Sequence, residues 1–586
     1  MRNMLCIALL VPVLVLAGNL QPVTTVVRDN EAVTTAPAAP TSTKTAPAPR
    51  AKGFTLGTVD TVGGTKYDWA ANGPSYRWIV NSPDFGLHVG WMFSNEDASP
   101  WSDRNQRYNF YDYTTGAWNW IDPDFMASGV NAYTARSGFG NLDADPSSGV
   151  ALFSTHNGSP IRPEIARDMA PGAGIFEYCS GSPNAEGYLW PPISLDANSK
   201  IHCALIDDAT RNCVFYANVD PWCTWSSPVG LASPQPDPEF PDHNIAVSKV
   251  SQKVFVTWVY TGVEDEPGYY RMSTDGGQTW SEPTELPDPP AFTQPDTQPS
   301  FYITSLFPWY DYNDRLHIVA DVTPVVRDTH WIIPAEIWHY CPDNTPNWSR
   351  VHRAECNPEN LQAGVGYNAA YACRPTIGSS SDGRLFVAWE QFDSANVEPV
   401  TNLLRADIFV AGSNDGGLTW SEAKKITDGG ECSHRFPCIV DRAIERNGTK
   451  KIAVFYMVDS VAGSIVQGQG PATRCPMCVQ WIDCDSIVPP GVAEGRSTVP
   501  TRIELAAKPN PFSSRTLLNY TVPRSGKVSL VLCDATGRPL QTLVNGSQEQ
   551  GRYAVSMNGS DLAAGVYFCK LTVGKTSLTK RLTLVR

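Results

Sequence analysis

Between residues 53 and 486 the chain alternates short apolar runs with longer polar, turn-rich stretches. Seven runs stand out: Leu87-His-Val-Gly-Trp91, Val150-Ala-Leu-Phe153, Ile201-His-Cys-Ala-Leu-Ile206, Val254-Phe-Val-Thr-Trp258, Leu316-His-Ile-Val319, Leu385-Phe-Val-Ala-Trp389 and Ile452-Ala-Val-Phe-Tyr456. Runs this short, rich in β-branched and aromatic residues, read as buried strands. Their starts lie 51–69 residues apart, which leaves room in each unit for four strands. The repeat predicts an all-β fold: a β-propeller of seven blades, or of six if one unit is an insertion. A strand over 54–59, ahead of the first unit, is placed to close the ring by pairing with the last blade.

A second repeat supports the first. Ser273-Thr-Asp-Gly-Gly-Gln-Thr-Trp280 and Ser413-Asn-Asp-Gly-Gly-Leu-Thr-Trp420 are near copies 140 residues apart. Asp275 and Asp415 are expected to fold their carboxylates onto backbone N–H groups of a tight turn. The Gly pairs ending at Gly277 and Gly417 supply the positive φ that such a turn needs. Ser273, Thr279, Ser413 and Thr419 complete the polar pattern, and each Trp is expected to pack its hairpin on a neighbour. Asp220–Trp225 and Asp343–Trp348 keep the Asp-to-Trp spacing in eroded form, and Tyr113–Trp120 is a fainter copy. The octapeptides resemble the Asp-box, the bacterial neuraminidase repeat of sialidases and sialidase-like propellers. The resemblance runs through short motifs across 53–486. It implies that the box lies on an outer hairpin, away from any ligand, so it marks architecture more than activity.

The two ends carry different signals. Residues 1–18, with Arg2 before the apolar run Leu5–Leu16 and small Ala17-Gly18, read as a secretory signal peptide. Asn19 stands where a lipidated Cys would be. Residues 19–52 are an Ala/Pro/Thr-rich linker, and 487–501 form a second linker. Residues 502–586 predict a small β-sandwich, with strands at 516–522, 527–533, 553–557, 565–571 and 578–585. This segment resembles the type A C-terminal sorting domain of the type IX secretion system. The resemblance rests on Pro509-Asn-Pro-Phe512, Asp534 with Gly537-Arg538, Leu562-Ala-Ala-Gly565-Val-Tyr567-Phe568 and the terminal Lys580–Arg586. It implies the type IX machinery as partner and a secreted or outer-membrane-surface location, reached through the periplasm. No stretch is long and apolar enough for a transmembrane span.

The net charge of −14, with no basic block, argues against a nucleic-acid partner. Fourteen cysteines remain once Cys6 leaves with the signal, and an even count in an exported chain favours disulfides. Cys533 and Cys569, on strands expected to be neighbours, suggest one of them. Cys475-Pro-Met-Cys478 with Cys484 lacks a second Cys pair or a spaced His pair, so a disulfide or free thiols are expected there and no metal. No cofactor motif is present.

Candidate chemistry lies ahead of the apolar runs, where innermost strands begin at one mouth of the central channel. Arg77, Arg136, His243, Arg374 and Arg435 align there. Arginines converging from different blades would hold a carboxylate by forked hydrogen bonds. The sialidase resemblance implies an arginine triad, and His434-Arg-Phe-Pro437 is the nearest match to its Arg motif, with Tyr371-Ala-Cys-Arg-Pro375 weaker. Both lie late in the chain, away from the first blade where the family places that motif. The plainer expectation is that these arginines pair with carboxylates and tie blades together. Glu390, Asp321, Asp459 and Tyr456 are available carboxylates and phenol, but no spacing joins them into a catalytic set. The reading is therefore an exported propeller binding a glycan, polymer or surface protein without catalysis, against a sialidase-like hydrolase of an anionic sugar. Trp91, Trp101, Trp118, Trp120, Trp309 and Trp331 are candidates for sugar stacking, although most propeller Trp packs between sheets.

Overall fold

The computed structural model describes residues 56–490 apart from 71–74, 233–240, 261–267, 293–299, 326–330 and 357–360. It also describes 503–585 apart from 504, 509, 513–514, 523–525, 549–550, 560–561 and 575. The expected signal peptide and first linker lie outside these residues. The chain divides into two compact units, 1–490 and 491–586.

The described part of the first unit is built from seven antiparallel sheets. Each apolar run forms the second strand of one sheet, as in Gly86–Phe93, Val254–Tyr260 and Leu385–Val397. Strands buried on both faces are mostly apolar, which is why these runs are continuous instead of alternating; the buried His88, His202 and His317 within them are hydrogen-bonded to Tyr108, Tyr216 and His339. Trp91, Trp258 and Trp389 end three of the runs and are at most 2% exposed. Burying each contributes on the order of 3 kcal/mol. Trp91 and Trp101 are thus core residues, so neither offers a ring to a sugar.

Bonds between successive inner strands trace the β-propeller ring. Leu142 N donates to Arg77 O (2.9 Å), joining the first and second sheets. Ile193 N donates to Asn141 Oδ1 (2.7 Å), joining the second and third. His243 Nε2 meets Trp190 O (2.8 Å), and Asn244 Nδ2 donates to Leu306 O (3.3 Å). Arg374 N approaches Asp321 Oδ2 (3.4 Å) on the second strand of the fifth sheet, and Ile439 N donates to Thr376 Oγ1 (2.9 Å). Asn81 N donates to Asp441 Oδ1 (2.9 Å), returning from the first sheet to the seventh. The outermost strand of the seventh sheet is Thr58–Thr65, paired with Cys475–Asp483. The closing strand thus runs further along the chain than the expected 54–59.

The two octapeptides sit in the turns between third and fourth strands of the fourth and sixth sheets, after Tyr269–Ser273 and Leu404–Ser413. Asp275 Oδ1 accepts from the amides of Gln278 (3.0 Å) and Thr279 (2.9 Å), and Asp415 Oδ1 does the same for Leu418 and Thr419. Ser273 Oγ and Ser413 Oγ accept from the amides of Gly277 and Gly417. Trp280 packs edge-on to Tyr216 at 4.7 Å, and Trp420 to His339 at 5.2 Å, each on the preceding sheet. In the eroded copies the indoles of Trp225 and Trp348 are buried, whereas Asp343 faces Arg315 (3.6 Å).

The disulfide expectation needs correction. One bond forms, Cys179–Cys223, tying the second sheet to the third, and the other twelve described cysteines are free. Most are buried within strands, where the pleat fixes their direction. Cys533 and Cys569 show why: Cys569 pairs with Leu532 and Cys533 with Phe568, so the two thiols leave opposite faces of the sheet. Cys475, Cys478 and Cys484 are likewise buried free thiols.

In the second unit, strands Leu505–Lys508, Arg515–Val522 and Gly551–Asn558 form one sheet. Pro539–Gln548, Gly526–Cys533, Gly565–Val573 and Thr576–Leu584 form the other. Leu518, Tyr520, Leu530, Leu532 and Leu571 share one apolar core, as a small β-sandwich requires. Leu505–Lys508 and Pro539–Gln548 are strands that sequence patterning missed; the second is largely exposed, with Leu543 and Val544 packed partly on the core.

Candidate functional site at the channel mouth

The innermost strands do not run straight to the mouth. Phe139, Trp190, Arg374 and Phe436 have φ of +58°, +48°, +57° and +56°, and three of them precede Pro191, Pro375 and Pro437. A non-glycine residue in the left-handed region costs on the order of 1–3 kcal/mol and persists only where its surroundings demand it. In the sixth and seventh sheets the pairing register shifts across these positions, between Cys373 and Thr376 and between Arg435 and Cys438. Such bulges re-aim side chains. Here they turn Arg374 and Arg435 onto one carboxylate.

That carboxylate is Glu390, at the far end of the apolar run and fully buried. Its Oε1 accepts from Arg374 Nη1 (2.5 Å) and from Arg435 Nε (3.2 Å), with Arg435 Nη2 also at 3.2 Å. Its Oε2 accepts from the Phe436 amide (2.7 Å). Burial by itself would raise the Glu390 carboxyl, but Arg435, Arg374 and the Phe436 amide outweigh it and hold the group down at about 2. Arg374 Nη2 donates to Asn368 O (2.6 Å). Trp69 lies over the Arg374 guanidinium (5.8 Å) and packs on Phe436 and Tyr367. Arg374 and Arg435 keep only 3% and 4% of their surface exposed, so an external anion has no path to them in this conformation.

A second acidic pair lies beside this cluster. Asp68, next to Trp69, accepts from Ser464 Oγ (2.8 Å) and the Ile465 amide (2.7 Å). Asp459 accepts from Thr473 Oγ1 (2.6 Å). Burial and the nearby Asp459 push Asp68 up to about 7. Asp321 accepts from Ser305 Oγ (2.7 Å), and the Tyr456 hydroxyl donates to Gln480 Oε1 (2.9 Å). Each of these groups already has an internal partner.

The remaining predicted residues go elsewhere. Arg77 points down the channel, donating to Ile439 O (2.8 Å) and Ile377 O (3.0 Å) with its guanidinium over Phe307. His243 ties the fourth sheet to the Trp190 carbonyl. Arg136 is exposed, with Nε donating to Trp101 O (3.1 Å). Phe139, Trp190, His243 and Arg374 all precede their runs by eleven residues. Arg136, at fourteen, falls outside that register. The X-Pro pairs were the available signal for the bulges, since Pro breaks a strand ladder.

Residues 508–585 match the family described as the secretion system C-terminal sorting domain. This domain addresses the chain to the type IX secretion machinery, so the protein is secreted or held at the outer-membrane surface. Among the described residues no helix is long and apolar enough to cross a membrane. No curated protein matches the chain significantly. Among solved structures, a polysaccharide lyase, ulvan lyase bound to -[GlcA(1-4)Rha3S]-, is similar at 12% identity and a TM-score of 0.44, over 69% of this chain and 97% of that one. An α-L-arabinanase of Penicillium chrysogenum complexed with arabinobiose is similar at 11% identity and a TM-score of 0.35, over 59% and 93%. Likeness at this level concerns the fold and carries nothing about substrate.

Proposed function

We propose that the protein is an exported, sialidase-like Asp-box propeller that binds a glycan, polymer or protein without catalysis. The observation that carries this reading is the pairing of Arg374 and Arg435 with Glu390. A hydrolase of an anionic sugar needs arginines free to take the substrate carboxylate, together with a nucleophile and an acid. Here the two arginines that converge are satisfied by an internal carboxylate under Trp69. Asp321, Asp459 and Tyr456 are held by Ser305, Thr473 and Gln480. A partnered buried ion cluster fits a structural tie between sheets better than an anion receptor.

The test is release of a fluorogenic sialoside by the full chain and by Arg435→Ala. The expected result is no release above the blank from either. Turnover by the wild type that disappears in Arg435→Ala would establish the hydrolase instead.

A further inference from the structure

We infer that the groove between the closing strand and the first sheet is a carbohydrate site whose occupant is an acidic oligosaccharide, one bearing carboxylate or sulfate groups. The inference rests on the non-catalytic binding reading and gives it a place and a ligand class. The groove has a volume of about 470 Å³, lined by Asp60, Tyr111, Tyr113, Arg446, Lys451 and Trp481 among others. That volume falls in the range of small-ligand sites, roughly 300–1,000 Å³.

Its half-buried rings are Tyr111 and Trp481, with Trp118 packed against both. Tyr111 lies 5.2 Å from Trp481 and 5.4 Å from Trp118, with the planes steeply inclined to each other. Asp60 Oδ2 accepts from both indoles, Trp118 Nε1 at 3.0 Å and Trp481 Nε1 at 2.9 Å. One carboxylate thus fixes two rings by their polar edges. Rigid, partly exposed rings rimmed by polar groups suit a pyranose, which offers C–H groups to a ring face and hydroxyls to the rim. In contrast, Trp91, Trp258 and Trp389 are sealed in the core.

The charge supplies the rest. Arg446 is exposed and lies over Tyr113 at 4.6 Å, and Lys451 is half-buried on the Thr449–Asp459 strand. Among the described ion pairs neither has a carboxylate partner, whereas Arg374 and Arg435 share Glu390. Arg446 Nη2 also donates to Tyr113 O (3.4 Å), which leaves its other N–H groups for a planar acid group. The seam is assembled from distant chain: Asp60 on the closing strand, Tyr111 on the first sheet, and Arg446 and Trp481 on the seventh. A ligand there would add to ring closure by binding only the closed state.

The experiment uses the full chain with four tetrasaccharides: oligogalacturonate for the carboxylate, a heparin fragment for the sulfate, and maltotetraose and cellotetraose as neutral controls. Binding is read by calorimetry and by tryptophan fluorescence. At least one acidic tetrasaccharide is expected to bind, to change the fluorescence and to raise the melting temperature. Its affinity is expected to fall tenfold or more in the Arg446→Ala/Lys451→Ala double variant, both positions lying outside the core. Tyr111→Ser should weaken it as well. Unchanged affinity in the double variant overturns the groove and leaves non-catalytic binding standing elsewhere. Equal binding of the neutral sugars overturns the ligand class, and binding of none of the four overturns the inference.

Discussion

The channel mouth and the seam between the seventh and first sheets both gather arginine and aromatic side chains, yet they put them to opposite use. At the mouth, Arg374 and Arg435 are buried, ringed by Trp69 and Phe436, and joined to Glu390. At the seam, Arg446 remains exposed and the rings of Tyr111 and Trp481 line an open groove. A buried charge is tolerated only when paired and hydrogen-bonded. An exposed charge pays no such penalty and keeps its hydrogen-bonding capacity for a partner. The contrast teaches that an arginine near a channel is a poor guide to ligand binding until its counter-ion is known.

The sharpest way to break the comparison is to remove the shared carboxylate. Glu390→Gln removes the counter-charge shared by two buried guanidinium groups and is expected to destabilise the fold by about 3–5 kcal/mol in denaturant titrations. A variant as stable as wild type would mean that water or an anion already serves the arginines. The repeated turns are expected to come next. A Cβ at Gly277 would stand 2.1 Å from the Tyr216 hydroxyl, whereas at Gly276 it meets nothing within 4 Å, although both have positive φ. Gly276→Ala is therefore expected to cost about 1 kcal/mol and Gly277→Ala clearly more. Equal costs would show that Trp280 does not need the close approach to the third sheet.

pH sharpens the same comparison through two groups with opposite shifts. Glu390 is depressed to about 2 from an ordinary 4.5, so its contribution is present above pH 4.5 and is lost as pH falls toward 2. Asp68 is raised to about 7 from 3.8, so its contribution is complete below pH 3.8 and is lost as pH rises through 7. Melting temperatures of wild type and Asp68→Asn between pH 4 and 8 should diverge, with the variant lacking the decline toward neutral pH. Parallel curves would remove Asp68 from the account. The smallest effect is expected at the seam, where Arg446→Ala should change stability by less than about 0.5 kcal/mol. A larger loss would make Arg446 a structural residue like Arg374.

Several of these features were legible from residue order. The seven apolar runs marked the second strand of each sheet in the first unit, because a strand buried on both faces is mostly apolar along its length. The Ser-x-Asp-Gly-Gly-x-Thr-Trp repeats specified their own turns, because each hydrogen bond of the box spans at most four residues. The sorting sandwich was readable for the same local reason, apart from its exposed strand Pro539–Gln548.

The candidate site was not legible in this way. Arg374 and Glu390 are sixteen residues apart and Arg435 is forty-five beyond Glu390, and only the bulges at Pro375 and Pro437 bring them together. The seam joins Asp60 to Trp481 across 421 residues, and it exists only once Thr58–Thr65 pairs with Cys475–Asp483. The pairing of cysteines was likewise decided by pleat direction and not by their number. Sequence by itself determined the blades, the turns and the export address, since each depends on contacts close along the chain. Tertiary structure decided which charges are satisfied and which face solvent, because burial and counter-ions depend on strands far apart in sequence that meet only when the ring closes.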